Sequence, residues 1–135
     1  QRLSVDRLAG FYRGLMTNKP DFCIVEGAGG WRVPINNQET FSDLPKLIKL
    51  PVILVVGIEL GCINHTILTV EAIHKDGLVL TGWVANQIAP SMDRYRENIS
   101  TLQHWIESPM IGEIAYNPGA SVDEVASQLD MKYLL

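Results

Sequence analysis

The fold of this chain is decided by residues 50–64, which read LPVILVVGIELGCIN. Within them, the branched apolar run 52–56 predicts a strand that is covered on both faces and lies at the centre of a parallel sheet. A helical pattern of apolar residues starts after Gly61 and ends at Asp76, which a glycine follows. The stretch therefore predicts the strand–loop–helix unit of an α/β protein.

The rest of the sequence repeats this alternation of strand and helix. Ser121 and Glu124 have the spacing of a capping box, which begins the last predicted helix. We predict further strands at residues 22–25, 78–85 and 110–116, and further helices at residues 4–18, 42–49, 90–107 and 121–133. Such an order forms parallel strand pairs through right-handed crossovers. The predicted fold class is α/β, a parallel sheet with flanking helices, in one domain over residues 1–135.

Composition excludes several classes of protein. Hydrophobic residues make up 47% of the 135 residues and the net charge is −4, so the chain is neither disordered nor a basic nucleic-acid binder. The most apolar run, residues 51–58, is far shorter than the roughly 20 residues that span a bilayer. Two cysteines form no disulfide framework. We expect a cytoplasmic protein with no nucleic-acid or membrane partner.

A carboxylate and a glycine-rich loop follow the first predicted strand. Glu26 precedes Gly27, Ala28 and Gly29. Glycines let backbone N–H groups approach an anion, and a carboxylate beside them can hold magnesium that bridges phosphates. The same residues also suit a plain turn with an exposed glutamate, so the residues alone leave both interpretations open.

Two further strand ends carry candidate binding groups. The helix that starts near Gly61 and Asn64 offers free N–H groups to a carboxylate or phosphate, although an unoccupied helix start is the alternative. Asn86 could read the polar edge of a purine or form a turn. Cys62 has no histidine at a spacing that indicates a nucleophile, and the three histidines lack zinc-site spacing.

No phosphate-loop, dinucleotide-binding or serine-hydrolase motif occurs in the chain. The residues themselves therefore indicate an α/β domain with an anion or nucleotide site, and they name no reaction.

Four blocks of sequence together resemble the ATP-dependent dethiobiotin synthetase family. They are VEGAGGW at residues 25–31, LPVILVVG at 50–57, LGCINH at 60–65 and GWVAN at 82–86. The blocks follow the family's order and spacing, and the resemblance extends from about Asp21 to Tyr116. It implies a P-loop NTPase-like sheet of the SIMIBI type.

The resemblance also implies a reaction. Enzymes of this family form dethiobiotin, in biotin biosynthesis, from 7,8-diaminononanoate, carbon dioxide and ATP with magnesium. The diamine is carbamylated, ATP activates the carbamate, and the second amine closes the ring and releases phosphate. Such catalysis rests mainly on positioning and charge neutralisation.

Site residues follow from the same resemblance, position by position. Glu26 matches the magnesium-binding glutamate. The implied nucleotide-binding residues are Glu26, Gly27, Ala28, Gly29, Asn86, Gln87, Ala115, Tyr116 and Asn117. The implied substrate-binding residues, which receive the carboxylate of the diamine across a homodimer interface, are Gly61, Cys62, Ile63 and Asn64.

The chain departs from the family in one major respect. The family's phosphate loop with its lysine, a second catalytic lysine, a serine and a magnesium-binding aspartate have no counterpart here, and Gln1 matches a point near the middle of a full synthetase. We therefore expect the C-terminal part of a synthetase, lacking the phosphate-loop strand and helix, with no catalytic residue of its own and no activity alone. The alternatives are a non-catalytic partner or regulator of a full-length synthetase, or another ATP-using ligase or ATPase of the same superclass.

Overall fold

The computed structural model describes residues 3–133, so Gln1 lies outside the described part of the chain. The strands are β1 (Val52–Ile58), β2 (Leu80–Gln87) and β3 (Met110–Ile114). The helices are α1 (Val5–Met16), α2 (Asp43–Ile48), α3 (Cys62–Lys75), α4 (Tyr95–Trp105) and α5 (Val122–Ala126), with a short 3₁₀ helix at Met131–Tyr133. The described residues form two compact units: unit 1 holds residues 3–50 and 76–78, and unit 2 holds 51–75 and 79–133.

Unit 2 contains a three-stranded parallel sheet in the order β1-β2-β3. Helices α3 and α4 pack on it and on each other. Its core includes fully buried Trp83 and Ile111 from the strands and Ile73 and Leu102 from the helices. The predicted fold class, an α/β parallel sheet with flanking helices, is confirmed.

Two glycines allow close packing within this sheet. A Cβ atom at Gly82 would lie 2.7 Å from the Ile111 side chain and 2.9 Å from the Pro109 carbonyl oxygen. A Cβ atom at Gly112 would collide with the backbone carbonyl oxygen of Gln128. Real Cβ atoms do not approach backbone this closely, so both positions require glycine.

Unit 1 is built on two helices that pack together. Val5 and Ala9 of α1 are buried against Leu44 of α2. The start of α1 is capped by Ser4, whose hydroxyl accepts a hydrogen bond from the Arg7 N–H at 3.4 Å. The half-buried hydrophobic residues around this small core are Leu8, Ile35, Phe41 and Ile48.

The prediction of a buried strand at residues 22–25 is wrong. This segment is irregular backbone, all of its residues are exposed, and 78% of the Ile24 surface is accessible. A short apolar run predicts burial but does not specify a partner, and a parallel strand exists only where a neighbouring strand takes up its backbone hydrogen bonds.

The placement of β1 at the centre of the sheet is also wrong, because β2 is central and, among the described strands, β1 pairs with β2 alone. The fourth helix begins at Tyr95 rather than at Pro90. The capping box of Ser121 and Glu124 is confirmed in both of its hydrogen bonds.

The last helix is shorter than predicted. It ends at Ala126 because the chain then turns back toward β3: the Asp130 N–H donates to the Ile111 carbonyl at 2.8 Å, and Leu129 forms an antiparallel bridge with Gly112. Within residues 3–133, no helix has the length and apolar character needed to cross a membrane.

Candidate functional site

The carboxyl ends of the three strands meet at one edge of the sheet in unit 2. Ile58 pairs with Gln87, and Asn86 pairs with Ile114. The loops that leave these ends therefore lie next to one another. In open parallel sheets this edge is where ligands bind.

Asn86 and Gln87 end β2 but differ in what their amides do. Gln87 Nε2 donates to the carbonyls of Ala89 and Pro90 at 3.0 and 3.4 Å, and its Oε1 accepts from the Tyr116 N–H at 3.3 Å. The Asn86 side chain has no partner among residues 3–133. The Asn86 amide is therefore free to meet a ligand, whereas that of Gln87 already bonds to backbone.

Residues 115–117 leave β3 beside Gln87 and are exposed. The Ala115 N–H donates to Gln128 Oε1 at 2.8 Å, and Asn117 Oδ1 accepts from the Gly119 N–H at 3.1 Å. The structure thus brings Asn86, Gln87 and this segment together. Gln128 was not predicted from the sequence, because no motif marks a glutamine whose side chain accepts a hydrogen bond from backbone earlier in the chain.

The start of α3 follows the carboxyl end of β1. Gly61 has a left-handed φ of +93°, and the Cys62 N–H donates back to the Glu59 carbonyl at 3.0 Å. Ile63 and Asn64 therefore carry the first-turn N–H groups that lack backbone partners within the described residues. The Cys62 side chain is buried with its Sγ 3.8 Å from Asn98 Oδ1, away from any ligand at the surface.

Glu26 and its loop lie in unit 1. Glu26, Gly27, Ala28 and Gly29 are all exposed, and the Glu26 carboxylate has no partner among the described residues. Gly29 has a left-handed φ of +79°, and a Cβ atom at Gly27 would lie 3.4 Å from the Phe41 ring. Gly29 therefore has a backbone conformation that favours glycine, whereas the contact at Gly27 is an ordinary one.

The side chains described around Glu26 limit the ways in which it could bind magnesium. In the part of the chain that the structure describes, no group of three or more His, Cys, Asp or Glu side chains is placed to hold a metal ion. Magnesium accepts one carboxylate when substrate phosphates and water supply its other ligands. Glu26 fits that mode and does not form a site made of protein ligands alone.

Asp76 joins the segment after this loop into one polar cluster. Its Oδ2 accepts from Trp31 Nε1 at 2.9 Å, its Oδ1 accepts from Arg32 Nη2 at 2.9 Å, and Lys46 Nζ lies 3.8 Å from Oδ1. Burial alone would raise the pKa of Asp76, but the hydrogen bonds from Arg32 and Trp31 and the nearby positive charges outweigh it and lower the pKa. Trp31 and Asp76 are 45 positions apart, so sequence spacing did not indicate the pair.

The histidines lie on helix surfaces. His65, His74 and His104 are exposed on α3 and α4. Of the two positions expected for them, helix surface or core, the structure has the first.

Comparison with known proteins identifies the family. The profile of a family described as "AAA domain" matches residues 2–123. An ATP-dependent dethiobiotin synthetase BioD of Cellvibrio japonicus is 52% identical over 133 residues, which are 98% of this chain and 58% of that relative. Relatives with the same name are 47% identical over 132 residues in Pseudomonas paraeruginosa (98% of this chain, 58% of the relative) and 50% identical over 115 residues in Tolumonas auensis (85% and 51%).

The chain spans little more than half the length of these curated relatives. The similarity nevertheless covers nearly the whole of this chain and includes the four blocks from which the resemblance was inferred. The chain therefore belongs to the AAA domain family, as a homologue of the ATP-dependent dethiobiotin synthetases.

Proposed function

We propose that this chain forms the adenine-binding, magnesium-binding and substrate-carboxylate-binding part of a dethiobiotin synthetase. The observation that carries the proposal is the free Asn86 amide at the carboxyl end of β2, next to residues 115–117. An amide offers a donor and an acceptor side by side, which matches the polar edge of adenine. The names of the relatives, which include "ATP-dependent", support the same assignment.

The reaction proposed for the whole enzyme is the ATP-dependent closure of the ureido ring of dethiobiotin. Carbon dioxide and 7,8-diaminononanoate give a carbamate, ATP phosphorylates it, and the second amine displaces phosphate. This chain contributes positioning to that reaction. Asn86 and residues 115–117 orient the base and ribose, with Gln87 and Gln128 holding that segment in place.

Glu26 is proposed as the magnesium ligand, with Gly27, Ala28 and Gly29 as the neighbouring loop that lets phosphates approach. Magnesium would neutralise the charge on the transferred phosphoryl group. The exposed Glu26 carboxylate has no partner among residues 3–133 and is available for this role, because no ion pair within that range has to be broken first.

The start of α3 is proposed to receive the substrate carboxylate from a partner subunit of a homodimer. The N–H groups of Ile63 and Asn64 and the positive end of a helix of 14 residues favour a carboxylate. Gly61 provides the turn, and Cys62 anchors the helix start in the core.

The test uses a chimera in which this chain replaces the matching region of the Cellvibrio japonicus relative. We expect the chimera to make dethiobiotin from ATP, magnesium, bicarbonate and the diamine, and the 135-residue chain alone to make none. A chimera that folds but does not close the ring would overturn the proposed reaction. Turnover by the chain alone would show that the activity needs no further segment.

The role of Asn86 is tested by Asn86→Ala in the same chimera. We expect its preference for ATP over inosine triphosphate, which lacks the 6-amino group of adenine, to fall about tenfold through loss of one base contact. Asn37→Ala is the matched control, since Asn37 is exposed and has no partner among the described residues. An unchanged nucleotide preference in Asn86→Ala would remove Asn86 from the adenine site.

A further inference from the structure

We propose that Asp76 is a positioning residue that holds the glycine-rich loop in the geometry that presents Glu26. It acts through Trp31 and Arg32, which directly follow the loop, and it touches no reacting atom. The inference rests on the proposed function of Glu26 as the magnesium ligand.

The Asp76 carboxylate is the anchor. The Asp76 side chain is only 8% exposed, yet it accepts hydrogen bonds from both the Trp31 indole and the Arg32 guanidinium. The Arg32 Nη1 to Asp76 Oδ2 distance is 2.8 Å. A nearly buried carboxylate with charge-assisted partners is held firmly, because leaving it unpaired is costly.

A second contact holds the same guanidinium. Arg32 Nη1 donates to Ser42 Oγ at 2.9 Å, and Ser42 is 1% exposed at the start of α2. Ser42 Oγ also lies 2.8 Å from Thr40 Oγ1. Arg32 therefore joins Asp76 to the N-terminal end of α2, and its position is set by two independent groups.

The loop before Trp31 needs such an anchor. Residues 22–30 are exposed, and Gly29 and Gly30 have left-handed φ values of +79° and +107°. Glycine backbone is free to adopt many conformations, and fixing each residue has an entropic cost. The Phe41 ring packs beside Gly27, and Asp76 holds Trp31. These two contacts bracket the residues that connect Glu26 to the rest of unit 1.

The first arm of the test measures amide hydrogen exchange in the 135-residue chain. We expect Asp76→Asn, which removes the charge, and Trp31→Phe, which removes the indole N–H with part of the ring, each to raise exchange of the Phe41 amide by about tenfold, because this amide donates to the Val33 carbonyl, next to Arg32, at 2.7 Å. Asp93→Asn is the control, since Asp93 is exposed without a partner among residues 3–133. Unchanged exchange of the Phe41 amide in both variants would overturn the anchor.

The second arm separates positioning from mere stability. In the active chimera, we expect Asp76→Asn to raise the magnesium concentration for half-maximal rate several-fold. The KM for ATP at saturating magnesium should stay the same. Trp31→Phe should raise the magnesium concentration for half-maximal rate by a smaller factor. An unchanged magnesium requirement would reduce Asp76 to a structural role and overturn the inference. If the unaltered chimera is inactive, the proposed function fails and takes the magnesium role with it, whereas hydrogen exchange still decides the anchor.

Discussion

Asp76 is a residue whose charge state the fold controls. Its carboxylate is desolvated, which taken alone would raise its pKa, but the hydrogen bonds from Arg32 and Trp31 and the nearby charge of Lys46 favour the charged form. The pKa therefore lies below its ordinary value of 3.8. The folded chain thus binds a proton at this site less readily than the unfolded chain does.

This shift predicts how stability depends on pH. A lowered pKa contributes stability that is present above pH 3.8 and is lost as the pH falls through the native pKa. We expect the stability advantage of the wild-type chain over Asp76→Asn to shrink as the pH falls from about 6 to about 2.5, measured by urea denaturation. Asp43, whose pKa is lowered by hydrogen bonds from the Thr40 N–H and from Lys46, is present in both chains and shares Lys46 with Asp76, so the double variant Asp43→Asn with Asp76→Asn, compared with Asp43→Asn alone, isolates the effect of Asp76. An advantage that stays constant across this range would contradict the lowered pKa.

At the scale of elements, the segment after α5 depends on one glycine of β3. Gly112 bridges Leu129, and the adjacent Ile111 carbonyl accepts from the Asp130 N–H. A Cβ atom at Gly112 would collide with the Gln128 carbonyl oxygen, so a residue with a side chain does not fit at position 112.

Gly112→Ala is therefore expected to detach the segment after α5. Its added methyl group forces the Gln128 backbone away, so the Asp130 amide and the Ala115 amide, which Gln128 holds, should lose protection from hydrogen exchange. Gly119→Ala is the matched control, because its Cβ atom would lie 3.7 Å from Asn117 Oδ1, an ordinary contact. Equal protection in the two variants would show that the segment adjusts without separating.

The sequence predicted the elements that carry a local signal. The strand at residues 52–56, the helix from Gly61 to Asp76 and the capping box at Ser121 depend on local periodicity and capping, and the structure has all three. The strand predicted at residues 22–25 is not formed, because apolar character does not specify a strand partner. The last helix was predicted too long because its end is set by a distant bridge to Gly112.

The candidate site, too, could be predicted only in part. Asn86 and residues 115–117 could be placed at one edge from the rule for parallel strands, and the register confirms that neighbourhood. The hydrogen bonds of Gln87 with the Tyr116 N–H and of Gln128 with the Ala115 N–H could not be predicted, since they join side chain to backbone across 29 and 13 positions. Their roles in binding stay predictions.

At the scale of the whole molecule, β1 presents apolar side chains to solvent. Ile53 and Val55 alternate along the strand and are 43% and 60% exposed. A strand with one free edge and an apolar face readily pairs with another chain.

We therefore expect the 135-residue chain to self-associate as its concentration rises, and Val55→Lys to reduce this association by placing a charge on the exposed face of β1. Sedimentation velocity would measure the effect. Leu68→Lys is the control, because Leu68 is 55% exposed on α3, outside the strand. Equal association of the two variants would mean that β1 does not drive it.

Unit 1 is discontinuous along the chain, since residues 76–78 complete it after residues 51–75 have entered unit 2. A ribosome makes the chain from its N-terminus, and domains generally fold in that order. The contact of Val5 and Ala9 with Leu44 can form as soon as α2 has emerged, but Trp31 has no acceptor until Asp76 follows. The loop of Glu26 is thus expected to gain its order late in synthesis, only after β1 and α3 have been made.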